Sequence, residues 1–368
     1  MTTGFLWDET CFWHGGGNYA FTLQVGGHVQ PTMGGLPENP ETKRRLKNLM
    51  DVTGLLAELD VSSAPAASFE DLLRVHPDDY LKSFKEMSDN GGGELGRRTP
   101  FGQGGYEIAA KSAGLAATAI DKVLSGRWQN AYALSRPPGH HCLPDFPNGF
   151  CLLNNIAVGI EAAFAKGQAE KVAVLDWDVH HGNGTEAIYY DRNDVLTISI
   201  HQDHNYPTDT GAFEDQGTGN GEGCNINVPL PPGCGHATYL EVIDRIVAPA
   251  LRDFGPDLIV VACGFDASAL DPLAHMLCTP VTFQSMTRTM MELADELCDG
   301  KLVLVHEGGY SEVYVPFCGH AVIAELAGSD ITAPDPLAEI MEARQPKPRI
   351  QEFQSLLVAE MADALGFD

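Results

Sequence analysis

Residues Lys171–Thr185 read KVAVLDWDVHHGNGT, and the rest of the chain can be organised around them. The stretch opens as a short apolar run, Val172 to Leu175, of the kind a buried parallel strand shows. It then changes character within two residues. Asp176, Asp178 and His180 follow at spacing two, and in an extended chain such residues point to one side. Two carboxylates and an imidazole would therefore converge just past the strand's carboxyl end, where open α/β sheets place their ligands. Gly182 and Gly184 then let the backbone turn sharply. Carboxylate plus imidazole suits a divalent metal such as zinc. Taken alone, D-x-H fits two solvated loop residues equally well, so the surrounding chain has to decide.

On either side, strand and helix alternate. Strands are expected at Phe5–Trp7, Ala131–Leu134, Val195–His201, Leu258–Gly264 and Leu302–Glu307. Helices are expected over ETKRRLKNLMDVTGLLAEL after Pro40, after a Ser68 cap, and over Tyr106–Leu124, Asn154–Lys166, Ala237–Phe254, Phe283–Cys298 and Val315–Ala327. Residues 14–40 and 89–105 read as long loops, as does the Gly-rich segment up to Gly223. This order predicts an α/β fold, one three-layer α/β/α domain with a mostly parallel central sheet and helices on both faces. The whole of 1–368 reads as that domain. Residues 330–368 form a C-terminal extension packed on it, a proline-containing connection to a last helix, Gln351–Leu365.

Composition bounds the function. A hydrophobic share of 44% and a charged share of 20% describe an ordinary globular chain. The net charge of −27 argues against a nucleic-acid partner, which a basic patch would normally mark. It would draw in basic peptides or polyamines, although acidity also serves solubility alone. Nine cysteines, an odd number with no C-x-x-C, suit reduced thiols and a cytoplasmic location. The N-terminus lacks the basic and apolar regions of a signal peptide. No apolar run approaches the roughly 20 residues a membrane span needs.

Four polar clusters each follow an expected strand: Arg136–His141 (RPPGHH), Asp176–Asn183, Gly264–Asp266 (GFD) and Glu307–Tyr310 (EGGY). One such cluster is ordinary; four at one sheet edge point to an active site. Asp178, His180 and Asp266 would supply three metal ligands and leave a position open for water, the pattern of a catalytic site. A bound metal acidifies its water and polarises a carbonyl. His140 and His141 are candidates to move the water's proton to a leaving amine. Tyr310, following two glycines, could donate to an oxyanion.

In combination, PPGHH, GFC at Gly149–Cys151, LDWDVHHGNGT, GFDA and EGGY resemble the histone deacetylase family over roughly residues 15–328. That resemblance implies the arginase/deacetylase fold. Asn183 and YVPFCG at Tyr314–Gly319 are similar to class II and to bacterial histone deacetylase-like amidohydrolases. The resemblance implies zinc on Asp178, His180 and Asp266. It makes His141 the general base and then acid, paired with Asn183, and His140 an electrostatic partner oriented by Asp176. Tyr310 would bind the substrate carbonyl. A structural monovalent cation, usually potassium, would sit on Asp176, Ser199 and the carbonyls of Asp178, His180 and Ile200. A second would use carbonyls of Tyr189, Arg192, Val195 and Cys224. The acyl-lysine tunnel would be walled by Gly149, Phe150 and Tyr206, with Leu273 at its gate.

Two positions depart from the family pattern. Tyr206 stands where a second phenylalanine is usual, and Cys142 follows the histidine pair where many relatives have alanine. The implied activity is zinc-dependent hydrolysis of the amide of an N-acetyl-lysine side chain, on a peptide or a small acylated amine. The alternative is deacetylation of acetylpolyamines; relatives selective for them carry a glutamate where Leu273 stands, so lysine substrates are favoured. A non-catalytic acyl-lysine binder would have lost a ligand or the tyrosine. A ureohydrolase would need two metals and more carboxylates. No membrane partner is expected, and assembly stays open between a single chain and a homodimer or homotetramer.

Overall fold

The apolar runs become strands because both of their faces find cover. The computed structural model describes residues 2–15, 19–25, 29 and 35–367. Its central sheet contains β1 (Thr3–Leu6), β2 (Asp60–Ser62), β3 (Asn130–Ala133), β4 (Val172–Asp176), β5 (Val195–Gln202), β6 (Asn225–Leu230), β7 (Leu258–Cys263) and β8 (Leu302–His306). Their order is β6-β5-β4-β7-β8-β3-β1-β2. Every neighbouring pair in this sheet is parallel. Along β7, Ile259, Val261 and Cys263 enter one core, while Leu258, Val260 and Ala262 enter the other. The second core is closed by helices Gly105–Leu124 and Asn155–Ala165, and the first by Glu41–Thr53, Pro280–Cys298 and Val315–Ala327. This is the expected three-layer α/β/α sandwich.

The strand order sets where chemistry can occur. From β4 the chain steps outward to β5 and β6, then returns to β7 on the other side of β4. The crevice beyond the carboxyl ends of β4 and β7 is therefore a topological switch point, which leaves room for a ligand. Asp178 and His180 follow β4, and Asp266 follows β7.

Several local expectations change. Strands β2 and β6 were not expected: β2 is three residues long, and β6 alternates apolar residues with Asn225 and Asn227. Both asparagines are buried and donate to Glu186 Oε2 at 2.8 Å, which lets a polar-looking segment join the sheet. The helix after Pro40 stops at Thr53, where Gly54 takes a left-handed φ of 88° and a 3₁₀ turn, Leu55–Glu58, follows. The helix expected over 237–254 contains a π-helical turn, Ile243–Val247. Ser68 and Asn154 cap their helices as side-chain acceptors, as their residue types suggest. The expected loop over 89–105 carries a small antiparallel pair, Gly92–Glu94 with Pro100–Gly102. Of the expected 14–40 loop, residues 16–18, 26–28 and 30–34 lie outside the described residues.

The segment beyond residue 330 contains helix Ala338–Arg344 as well as Pro348–Leu365. It rests on the first core through Val358 and Ala362. Gln345 accepts from the backbone N–H of His236, and Gln354 accepts from the Thr238 hydroxyl. All nine cysteines are free thiols. Among the described residues no helix is long and apolar enough to cross a membrane.

Candidate active site

The expected convergence occurs. One ligand atom from each of Asp178, His180 and Asp266 lies within 4.8 Å of the others, and all three residues are buried. The His180 Nδ1 stands 3.1 Å from both Asp178 Oδ1 and Asp266 Oδ2. Backbone N–H groups of His180 and Gly308 fix Asp178, and that of Val179 fixes Asp266. The donor chemistry fits a divalent cation. Burial and the Asp178 charge push Asp266 up to about 6, because two carboxylates share one buried site. A cation between them removes that repulsion. Two carboxylates and one imidazole match a zinc ligand set.

His140 and His141 diverge in character because their partners differ. His140 Nδ1 lies 2.9 Å from Asp176 Oδ2; His141 Nδ1 lies 2.8 Å from Asn183 Oδ1. Burial pushes His140 down, but the Asp178 and Asp176 carboxylates outweigh it and hold the imidazole well above its ordinary pKa. A cation on Asp178 would offset part of this and leave the Asp176 bond. Burial, reinforced by the charges of His140 and His180, holds His141 well below. The Asn183 oxygen only accepts, so His141 Nδ1 carries the proton and Nε2 is left unprotonated, as a base requires. The two rings are 4.0 Å apart, so a change in one charge is felt by the other.

This coupling gives a prediction with a sign. Asp176→Asn removes an anion that raises His140, so His140 loses its proton at lower pH. The His141 imidazole, relieved of its neighbour's charge, should then titrate at higher pH. The acid limb of the kcat/KM profile should move up in pH and the basic limb down, narrowing the active range. Superimposable limbs in variant and wild type would reject the coupling.

A pocket of about 130 Å³ leads to these groups. That is well under the roughly 300–1,000 Å³ of ordinary ligand clefts. It therefore suits a slim, unbranched chain. Phe150, Tyr206 and Leu273 line it, and His141, His180 and Tyr310 border it deeper in. Phe150 itself has a left-handed φ of 69°. The Tyr206 hydroxyl is taken by Asn148 Oδ1, so it does not point free into the tunnel. Tyr310 is held by its N–H donating to Asp271 Oδ2 at 2.7 Å. Burial and the nearby Asp266 and Asp178 charges keep its phenol protonated, ready to donate. Gly308 is obligatory here, since a Cβ would lie 2.2 Å from Asp266 Oδ2.

Gly149 carries a second steric demand. Its φ is +52°, and a Cβ would stand 2.4 Å from His141 Cδ2 and 2.8 Å from Tyr206 Cε1. Gly149→Ala should displace the His141 ring and lower kcat/KM on the order of 10²-fold, the cost of about 1 Å of misplacement. The left-handed backbone should cost a further ~1–2 kcal/mol of stability. Steady-state kinetics and a thermal melt, read beside metal content, check both effects.

Asp176 and Ser199 are register partners on β4 and β5, next to the trio. Tyr189 ends helix Asn183–Tyr189, Arg192 follows in the loop, Val195 begins β5, and Cys224 accepts from Thr197 N–H beside it. Other residues of the site had no role in the motif reading. Glu307 Oε2 accepts from the N–H groups of Gly139 and His140, fixing the histidine loop. Asp271 anchors Tyr310, and the carbonyls of Arg97 and Arg98 accept from the N–H groups of Gly149 and Phe150. Of these, only Glu307 belongs to a sequence motif, as the first residue of EGGY.

The family model for the histone deacetylase domain matches residues 36–326. A histone deacetylase-like amidohydrolase of Pseudomonas aeruginosa is 57% identical over 365 residues, covering 99% of this chain and 96% of that protein. A probable deacetylase of Archaeoglobus fulgidus is 41% identical over 303 residues, covering 81% and 84%. The solved HD domain of HDA15 superposes with a TM-score of 0.81 at 31% identity, covering 99% of each chain.

Proposed function

The chain belongs to the histone deacetylase family, whose members are zinc-dependent hydrolases, and from that premise we propose that it hydrolyses the amide of N-acyl-lysine side chains, acetyl-lysine first. The observation that carries this reading is the narrow pocket bordered at depth by His141, His180 and Tyr310. It admits a four-carbon stem and delivers the terminal amide to the trio. Asp178, His180 and Asp266 would hold zinc, which as a Lewis acid acidifies a water and polarises the acyl carbonyl. His141 Nε2 takes the proton of the attacking water and later returns it to the leaving lysine amine. His140, kept cationic by Asp176, holds positive charge nearby as negative charge gathers on the acyl oxygen. Tyr310 donates its hydroxyl to that oxygen.

Potassium on Asp176, Ser199 and the carbonyls of Asp178, His180 and Ile200 would stiffen the ligand-bearing loop. A second ion on the carbonyls of Tyr189, Arg192, Val195 and Cys224 belongs to the same proposal. So does action as one unit over 1–368 in the cytoplasm, which nine unpaired thiols support.

Tyr310→Phe should keep the fold and the zinc yet lower kcat on acetyl-lysine peptide by roughly 10²–10³, the usual loss for one oxyanion donor. Trifluoroacetyl-lysine, with a more reactive carbonyl, should suffer less. Unchanged acetyl-lysine turnover would take Tyr310 out of the mechanism. The reaction itself is tested by initial rates on paired acetyl-lysine peptide and acetylputrescine, with and without a zinc chelator. Chelator-sensitive turnover of the peptide supports the proposal. Turnover of acetylputrescine alone would replace it with polyamine deacetylation.

A further inference from the structure

The pocket wall carries a charge that the proposed chemistry does not use. Arg98 lines the pocket, and among the described residues no carboxylate side chain lines it. The guanidinium carbons of Arg98 and Arg97 lie 5.1 Å and 5.7 Å from the Tyr206 ring centroid. Stacking on an aromatic face holds a guanidinium in place while leaving its N–H edge open. The backbone beneath is fixed. Gly149 N–H donates to the Arg97 carbonyl at 3.0 Å and Phe150 N–H to that of Arg98 at 2.9 Å. Arg98 accepts a left-handed φ of 60°, unusual for a residue with a side chain.

Arg97 and Arg98 belong to the minority of cations among the described residues that have no carboxylate partner. At a net charge of −27, cations here find carboxylates readily. Arg192 pairs with Glu161 and Asp194, Arg252 with Glu296, and Arg288 with Glu325. Among the described residues no carboxylate lies within 4.0 Å of Arg97 or Arg98. Arg97 is exposed and Arg98 half-buried, whereas His141 and His180 are buried, so the two charges mark the mouth of the tunnel.

We propose that Arg98, with Arg97 beside it, sets substrate preference by binding a carboxylate side chain next to the acyl-lysine, so that the preferred substrates are acidic-flanked acyl-lysine peptides. The inference rests on the acyl-lysine reading above. With the acyl group at the buried end, the peptide backbone lies at the mouth, and a neighbouring Asp or Glu side chain reaches a guanidinium edge. The same cations repel the distal ammonium of an acylated polyamine, and Leu273 offers it no anchor.

The test uses one acetyl-lysine peptide with acidic, amide or basic flanking residues, and acetylputrescine. Wild-type kcat/KM should fall in the order acidic, amide, basic. The acidic-to-amide ratio should be roughly three- to tenfold, the worth of a part-exposed charge-assisted hydrogen bond. It should reside in KM and shrink as salt is raised on the wild type alone. Arg98→Gln should bring the ratio toward one, Arg97→Gln with Arg98→Gln further still, and both should improve acetylputrescine relative to peptide. Equal use of acidic and amide peptides, or a ratio that survives the double substitution, would overturn the assignment while leaving the acyl-lysine reading intact. Failure of every peptide beside active turnover of acetylputrescine would overturn both.

Discussion

Asp178→Ala and Asp266→Ala should each lose bound zinc and, with it, essentially all turnover, the largest effect expected anywhere in the chain. Each variant leaves one carboxylate and one imidazole, where catalytic zinc sites use three protein ligands. Among the described residues the neighbouring carboxylates are engaged elsewhere: Asp176 with His140, Glu307 with the N–H groups of Gly139 and His140, and Asp271 with those of Leu273 and Tyr310. Without the ion, water stays a poor nucleophile and the acyl carbonyl is unpolarised. The variants should still fold. Removing either anion relieves the repulsion that lifts Asp266, and the surrounding strands bury their faces independently of it. Elemental analysis and kcat, measured beside a thermal melt, decide the matter. Full metal occupancy in both variants would falsify the ligand assignment.

His141→Ala should lower kcat by roughly 10²–10⁴, the span of general acid–base catalysis. The variant should retain its zinc, since His141 is outside the trio. Burial and the cationic His140 beside it hold His141 below its ordinary range, so in the wild type it stays an unprotonated base at neutral pH. Wild-type activity should therefore decline on acidification only well below the ordinary imidazole pKa, and His141→Ala should lose that limb. Addition of free imidazole should restore some turnover, because the space vacated by the ring borders the pocket. A variant with wild-type kcat and an unchanged acid limb would assign the base elsewhere.

Much of this site can be read directly from residues in line. The run Val172–Leu175 specifies a strand buried on both faces, because no polar side chain interrupts it. Asp176, Asp178 and His180 lie two apart, a spacing that in extended backbone brings them to one side. The clusters RPPGHH, GFD and EGGY follow their strands just as visibly. In each case the geometry is local. A few backbone dihedrals relate the groups, so residue order alone determines their directions.

Relations between distant segments are different. That Asp266 meets Asp178 depends on β7 returning beside β4, and that strand order follows from how two helical layers share one sheet. Strand β6 was hidden because its buried asparagines are satisfied by Glu186, a partner that folding supplies. Glu307 and Asp271 became legible as supports only once their oxygens faced the N–H groups of Gly139, His140 and Tyr310. Arg97 and Arg98 lie in the expected Gly-rich loop, and only the fold brings their carbonyls to the N–H groups of Gly149 and Phe150. Residue spacing encodes direction within one element; contact between elements is set by the burial of whole faces, a sum over many residues that no short motif contains.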